Sequence, residues 1–364
     1  LVNALPRDSY QPFLCATRRE GPLAALIAPD VPLLSLRRAG RFDLRALRQL
    51  MAFIRAHNIR LLHAHGTSLF TAVAASFFAP HPAVLWHDHF GRYAVEERPV
   101  TLYRALIRRV QGVIAVNQPL ANWARNRLHV PATQVWYIPN FVPAVAQQPL
   151  PESLPGVPGA RIVCVANLRP EKDHLTLLRA LAQVIKEFPQ AHLLLAGATS
   201  DPAYLARIQA ERDRLALAEH LSILGSREDV AAILQHCDIG VLSSASEGLP
   251  LALLEYGMAG LPVVVTCVGQ CPEVVDEGRA GILVPPGDTA DLADALRTLL
   301  RSPQRRSLLG EQLRRRVQRH YSAEAVVHQV CAVYDAILGG KSPAGQTAIT
   351  NEPMPIITGE NRPQ

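Results

Sequence analysis

The sequence predicts an α/β protein built as two doubly wound halves, each a parallel sheet covered by helices. Three observations carry this. Short apolar runs alternate with helical stretches along most of the chain, the pattern of parallel strands joined by crossover helices. Several of these runs end in polar, glycine-bearing or histidine-bearing loops, as expected where ligands meet the carboxyl ends of strands. A segment with prolines at 143, 149, 151, 155 and 158 divides the alternation near its middle and reads as an extended linker.

Composition sets the outer bounds. At 364 residues the chain can hold two domains with substantial cores. Hydrophobic residues at 49% and charged ones at 19% are globular values. No apolar run approaches the ~20 residues of a membrane-spanning helix, and no secretory leader is visible, so a cytoplasmic location is expected. The six cysteines (15, 164, 237, 267, 271 and 331) are scattered and read as reduced thiols. Cys267 and Cys271 lack the second pair that a metal site would need.

The chain opens on Leu1 to Leu5, which reads as the end of a helix, and Tyr10 to Thr17 reads as the next strand. Arg37 to Arg60 is predicted as one helix with Leu44, Leu47, Leu50, Met51 and Ile54 on a single face. Seven arginines against one acid, Asp43, make it strongly basic. A solvated face accounts for that charge, and so does an anchor for anionic lipid head groups. Nucleic acid is not expected as a partner, since no recognition motif or row of stacking aromatics accompanies the charge.

Ile59 to Gly66 and Ala83 to His89 read as strands running into loops. Their ends gather His63, His65, His87, Asp88 and His89 at one rim. Such histidines commonly hydrogen-bond loop backbone, and no ligand spacing typical of zinc accompanies them. Val113 to Asn117 and Val135 to Ile138 supply two more strands, with the helix Pro119 to Leu128 between them. The predicted divisions are a first domain at 1–142, a linker at 143–159, a second domain at 160–320, a final helix at 321–338 and a disordered tail at 339–364.

The second half continues with the strand Arg161 to Ala166, the loop Asn167-Leu168-Arg169-Pro170-Glu171-Lys172-Asp173, and the helix His174 to Phe188. Strand His192 to Ala196, helix Ala203 to Leu215, strand Leu221 to Leu224 and the loop Gly225 to Val230 follow. After the strand Ile239 to Leu242 comes Ser243-Ser244-Ala245-Ser246-Glu247-Gly248-Leu249-Pro250-Leu251, with Pro250 placed at the first helical position, which tolerates its missing N–H. Amides of Gly248, Leu249 and Leu251 then sit at a helix N-terminus, a seat for phosphate or a sugar hydroxyl. Glu255 lies about 7 Å along that helix at ~1.5 Å per residue, so Glu247 and Glu255 frame the seat. Either glutamate alone is equally consistent with a cap or a solvated position. No G-x-G-x-x-G follows a predicted strand, which argues against a dehydrogenase.

Glu247-Gly248-Leu249-Pro250 through Glu255, then Gly260-Leu261-Pro262-Val263-Val264, Pro272-Glu273-Val274-Val275 and Gly281 to Asp288, taken in order, resemble the donor-site motifs of the retaining GT-B glycosyltransferases of family 4. The resemblance extends from Leu1 to about Leu338. It implies two Rossmann-like domains facing an interdomain cleft, with the acceptor on the first and a nucleotide sugar on the second. In that family a first strand and a glycine-rich turn precede the helix that ends near Leu5, and this sequence does not contain them; the resemblance also implies that the helix at 321–338 returns to the first domain.

Residue by residue, the resemblance puts Glu247 on donor-sugar hydroxyls, Glu255 on the ribose and Lys172 on the pyrophosphate. Ser226 and Arg227 fall in the nucleobase loop. The family's arginine position is Asn167 here, and Ala166 replaces the preceding glycine, so Arg169 is the expected substitute. His87 matches the acceptor-side histidine, with His65 and His89 beside it. The implied reaction is retaining transfer of a sugar from a nucleotide diphosphate, a UDP-sugar favoured, to a glycan or lipid-linked hydroxyl in bacterial polysaccharide, lipopolysaccharide or glycolipid synthesis, at the inner face of the membrane. No D-x-D is present in the donor loops, so no metal and no further cofactor are expected. A sugar-nucleotide epimerase of related fold and a non-catalytic nucleotide-sugar-binding protein stay open beside it.

Overall fold

The computed structural model describes residues 1–40, 43–78, 80–90, 98–142, 153–199 and 201–339. Most of the proline-rich segment and of the predicted tail lies outside the described residues. The chain divides into two compact units. One holds Leu1–Pro139 and the chain from Val326 onward; the other is Asn140–Ala325.

In the first unit, β1 (Leu14–Ala16) pairs in parallel with β2 (Leu33–Ser35). A second sheet holds β3 (Leu61–His65), β4 (Ala83–Asp88), β5 (Gly112–Ala115) and β6 (Val135–Tyr137), all parallel and in sequence order. Side chains alternate across a strand. In β4 this sends Trp86 into the core with Ala64, Val113 and Leu120 and leaves Leu85 and His87 on the opposite face. Because His63 pairs with Leu85 and His65 with His87, the same alternation aligns His63, His65 and His87 along one face, and His89 follows just beyond the strand.

The predicted helix over Arg37 to Arg60 is shorter in the structure, Leu44–Ala56. Asp43 caps its first turn, accepting from the amide of Ala46, and Arg37 adopts a left-handed backbone (φ 46°), which helices do not continue through. The stretch Leu1 to Leu5 holds a single 3₁₀ turn, Val2–Ala4. Ala46, Leu50 and Ile54 form the buried stripe of the longer helix, while Arg45, Arg48 and Arg55 remain exposed. Of the basic cluster, Arg38 is committed elsewhere, donating to Thr71 Oγ1 at 2.7 Å; Arg41 lies outside the described residues.

The second unit is a six-stranded parallel sheet of β7 (Arg161–Val165), β8 (His192–Ala196), β9 (Leu221–Gly225), β10 (Ile239–Leu242), β11 (Val263–Thr266) and β12 (Ile282–Val284), ordered β12-β11-β10-β7-β8-β9. The order reverses between β7 and β10, the switch point where open α/β sheets bind ligands. Helices cover both faces, with one core centred on Leu177, Leu181, Leu193 and Leu296 and the other on Leu253, Tyr256, Val265 and Leu313.

Two close approaches fix the loops at that switch point. A Cβ on Gly197, just after β8, would stand 2.0 Å from the carbonyl oxygen of Ala166, just after β7. A Cβ on Gly240 in β10 would meet the ring of Tyr256 at 2.8 Å. Tyr256 is buried through the hydrogen bond its hydroxyl accepts from the amide of Val165 at 2.6 Å, and this seats the helix Leu251–Ala259 on the sheet. Pro250 occupies the cap of that helix, with φ −73° and ψ 112°, one residue before the position predicted for it: its extended ψ lies outside the helical range. The 19-residue helix Pro303–Tyr321 is an element that the sequence reading passed over.

Candidate donor site and histidine rim

The loops after β7, β8, β9 and β10 enclose a cleft of about 340 Å³ in the second unit. Asn167, Lys172, Ser226, Arg227, Glu247, Pro250, Leu251 and Glu255 line it, as do Gly197 and Ala198. Eight residues singled out from the sequence therefore line one cleft. Arg169, Gly248 and Leu249 do not line it. Arg169 precedes the 3₁₀ turn Pro170–Lys172, and Leu249 packs against the core. The backbone of Gly248 instead holds a neighbour, its carbonyl accepting from the amide of Gln270 at 2.9 Å.

Lys172 and Glu247 meet directly, Nζ to Oε1 at 2.6 Å. The carboxylate is the more buried partner, 7% exposed against 23% for the lysine. Ser244 Oγ donates to the same Oε1 at 2.6 Å. The two loops carrying this pair are tied by backbone as well: Ala245 N–H donates to Glu171 O at 2.9 Å, and Ser243 Oγ donates to Lys172 O at 3.0 Å. Asp173, held at φ 46°, caps the helix His174–Val184 and so ends the loop sharply after Lys172. The site thus keeps one cation and one carboxylate in contact, on two loops that are tied to each other through backbone groups. Sequence reasoning missed Ser243 and Ser244 as builders of it, although small hydroxyls directly after a strand are the available signal.

In the same cleft, Asn167 Oδ1 accepts from the amide of Ala198 at 3.0 Å, which joins the loops after β7 and β8. Arg227 forks onto Asp229 at 2.7 and 2.6 Å. Glu255 sits in the second turn of its helix, half-buried. Burial pushes its carboxyl above the usual range, because a charged form out of water is penalised. Donors arriving from a ligand would relieve that penalty.

In the first unit, His63 Nε2 lies 3.1 Å from His87 Nδ1, His65 Nδ1 lies 2.9 Å from His89 Nε2, and the rings of His87 and His89 stack at 4.1 Å. His63 Nδ1 lies 2.7 Å from the hydroxyl of Tyr334, on the helix Ala323–Leu338. Burial, then neighbouring histidines, lower all three strand histidines; His65 falls to about 4, and His63 and His87 lie well below their ordinary value. Among the described residues, His63, His65 and His87 form the one group whose ligand atoms all fall within 4.8 Å of one another. Tyr334 was not singled out from the sequence; only the fold brings it to the rim.

Comparison with known proteins follows the same division. Residues 1–145 match the model of "Glycosyltransferase Family 4", and residues 159–302 that of "Glycosyl transferases group 1". The chain is 30% identical over 177 residues to the N-acetyl-alpha-D-glucosaminyl L-malate synthase of Bacillus anthracis, covering 49% of this chain and 45% of that protein. It is 30% identical over 238 residues to the phosphatidyl-myo-inositol mannosyltransferase of Mycobacterium leprae, covering 63% and 60%. The chain therefore spans less than two thirds of these relatives' lengths.

Among solved structures, a glycosyltransferase from Rickettsia africae aligns over 91% of each chain with a TM-score of 0.77 at 16% identity. HepE of Anabaena, solved with UDP and glucose, aligns over 90% of this chain and all of its own with a TM-score of 0.74 at 18% identity. At such identities these two establish the architecture. With one matched model on each side of the proline-rich segment and this architecture throughout, the chain belongs to the family 4, group 1 glycosyltransferases of GT-B fold.

Proposed function

We propose that this chain is a glycosyltransferase that moves a sugar from a nucleotide-diphosphate sugar to a hydroxyl acceptor with retention at the anomeric carbon. The observation that carries the reading is the 2.6 Å contact of Lys172 with Glu247 in a cleft that Glu255 also lines. Lys172 faces the diphosphate and offsets the charge that develops as the anomeric C–O bond breaks. Preorganised cations act most strongly on charge that appears only in the transition state. Glu247, already holding the lysine through Oε1, has Oε2 for a donor-sugar hydroxyl. Glu255 accepts from the ribose hydroxyls, and the loop at Ser226 and Arg227 meets the base. Arg169, expected from the sequence as a second cation, does not line this cleft, so the proposed charge partner of the diphosphate is Lys172.

Among the described residues no side chain is identified as a nucleophile for a covalent intermediate, and attack is taken to come from the face the leaving group departs. The acceptor oxygen forms its bond to the anomeric carbon, and its proton passes to the departing phosphate oxygen. No metal is required in this reading, since Lys172 supplies the charge. The HepE structures contain UDP and UDP-glucose, which favours a UDP-sugar here. His65, His87 and His89 belong to the acceptor side. The phosphatidyl-myo-inositol mannosyltransferase and the N-acetyl-alpha-D-glucosaminyl L-malate synthase among the relatives fit a small or lipid-linked hydroxyl acceptor of a bacterial glycan or glycolipid pathway.

A thermal-shift screen against UDP-, GDP- and ADP-sugars identifies the donor, and a hydrolysis assay then reads the reaction class. Released nucleotide diphosphate supports a transferase. Epimerised sugar nucleotide, or binding with no turnover in any acceptor mixture, refutes it.

A further inference from the structure

We propose that Tyr334 and His63 are positioning residues that fix His87 as a neutral imidazole with its proton on Nε2, so that the first unit offers substrate a hydrogen-bond donor rather than a base. A neutral imidazole has one donor and one acceptor nitrogen, and both nitrogens of His63 are engaged. Nδ1 faces Tyr334 at 2.7 Å and Nε2 faces His87 Nδ1 at 3.1 Å. The direction of the relay is set at its phenol end. Tyr334 is buried, 6% exposed, and His63 is the hydrogen-bond partner of its hydroxyl among the described residues.

A buried phenol proton needs an acceptor, so Tyr334 donates to His63 Nδ1. His63 must then carry its proton on Nε2 and donate it to His87 Nδ1. That leaves the His87 proton on Nε2, the atom that is buried with no partner among the described residues. A donor held ready without an acceptor is what an arriving sugar or acceptor oxygen would complete.

The alternative use of clustered imidazoles is a metal site. Three of them lie close enough to consider it. A cation would have to displace either Tyr334 or His87 from His63, whose two nitrogens are both spent. The other imidazoles around His87 are His65 and His89, themselves joined at 2.9 Å. Burial and these neighbours keep His63 and His87 uncharged, so the relay persists through neutral pH. The tautomer follows from this unit's geometry alone; its use on substrate rests on the transferase reading.

The test reads the tautomers directly. The full chain, ¹⁵N-labelled and treated with chelator, is examined by long-range ¹H–¹⁵N correlation of its imidazoles, with His63→Gln and His87→Gln assigning the signals. Both rings should be neutral and protonated on Nε2 across about pH 6–8, the range where an ordinary histidine titrates. Tyr334→Phe keeps the ring and removes the donor. It should move His63 Nδ1 downfield and turn His87 into a mixture of tautomers, with an unchanged circular-dichroism spectrum.

His87 protonated on Nδ1 or doubly protonated in the wild type overturns the proposal. So does a Tyr334→Phe variant whose His87 signals stay in place. One equivalent of zinc chloride should leave the spectra unchanged; a stoichiometric shift of His63, His65 and His87 would make the rim a metal centre instead. With the donor identified, Tyr334→Phe should lower kcat about tenfold, as loss of an orienting partner does elsewhere, and leave donor KM alone. An unchanged kcat refutes the role in turnover, whereas absence of any transferase activity leaves the tautomer measurement intact.

Discussion

Lys172 and Glu247 hold each other at 2.6 Å, so neither can be altered without changing the other's surroundings. Lys172→Ala should reduce turnover by about two orders of magnitude, the usual effect of deleting one transition-state charge partner. Steady-state kinetics on folded variant would show it, and full turnover would remove Lys172 from the mechanism. The two glutamates should part company under the same conservative change. Glu255→Gln should weaken UDP binding, because charge-assisted bonds to ribose hydroxyls contribute about 1.5–3 kcal/mol. Glu247→Gln should lower turnover with UDP affinity nearly kept. Equal losses of UDP affinity, measured by calorimetry, would contradict the division of labour.

Glu255 also gives a pH dependence of definite sign. Burial raises its carboxyl in the free protein, and hydroxyl donors from a ribose would lower it again. UDP binding then requires the ionised form. Affinity should be flat above the raised value, and fall toward tenfold per pH unit below it. The linked stability runs the other way, highest at acid pH where the carboxyl is protonated and lost as pH rises through the folded value. A UDP titration flat through the acid range, or unaffected by Glu255→Gln, would exclude this residue as the source.

At the scale of elements, the site depends on loops that approach closer than side chains permit. Gly197→Ala would place a Cβ 2.0 Å from Ala166 O, backbone against backbone, with no flexible end to yield. Such overpacking typically costs about 1–3 kcal/mol and should lower Tm by about 5 °C in a unit of this size; an unchanged melt would show that the β7 loop moves freely. The lining of the cleft was legible in the sequence because its chemistry is local: strand end, polar turn, then helix, with Glu247 and Glu255 at fixed spacing. Where polarity outweighed periodicity, the reading failed. The helix Pro303–Tyr321 buries only Leu309, Gly310, Leu313, Val317 and Tyr321, a narrow stripe among arginines. The basic stretch before Leu44 carries residues of helical propensity, yet the Asp43 cap and the left-handed Arg37 end the helix there.

The shortened helix also reshapes the membrane expectation. Three exposed arginines, Arg45, Arg48 and Arg55, remain on it, and each would add about 1 kcal/mol near an anionic surface. Co-sedimentation with phosphatidylserine vesicles should be measurable at low salt and lost at high salt, where screening shortens to a few ångström. Arg45→Glu with Arg48→Glu should abolish it; vesicles that pellet without protein at low salt would end the idea. No helix among the described residues is long and apolar enough to cross a membrane.

For the molecule as a whole, the contacts hardest to foresee were those between distant parts of the sequence. Tyr10 donates to Asp335 Oδ1 at 2.6 Å and stands edge-on to Tyr334, and Tyr334 reaches His63, 271 positions earlier. Nothing local to any of these residues announces the others. The first unit is therefore built from both ends of the chain. This arrangement bears on synthesis. A ribosome that has finished Pro139 has made the sheet and every rim histidine, but Tyr334 is still roughly two hundred codons away. Until the second unit has been translated in full, Tyr10 lacks its carboxylate and His63 its phenol. Nascent chains stalled short of Val326 should thus expose the first unit to protease, and chains carried through Leu338 should shield it, so that protection of the first unit becomes a signal that translation has passed the second.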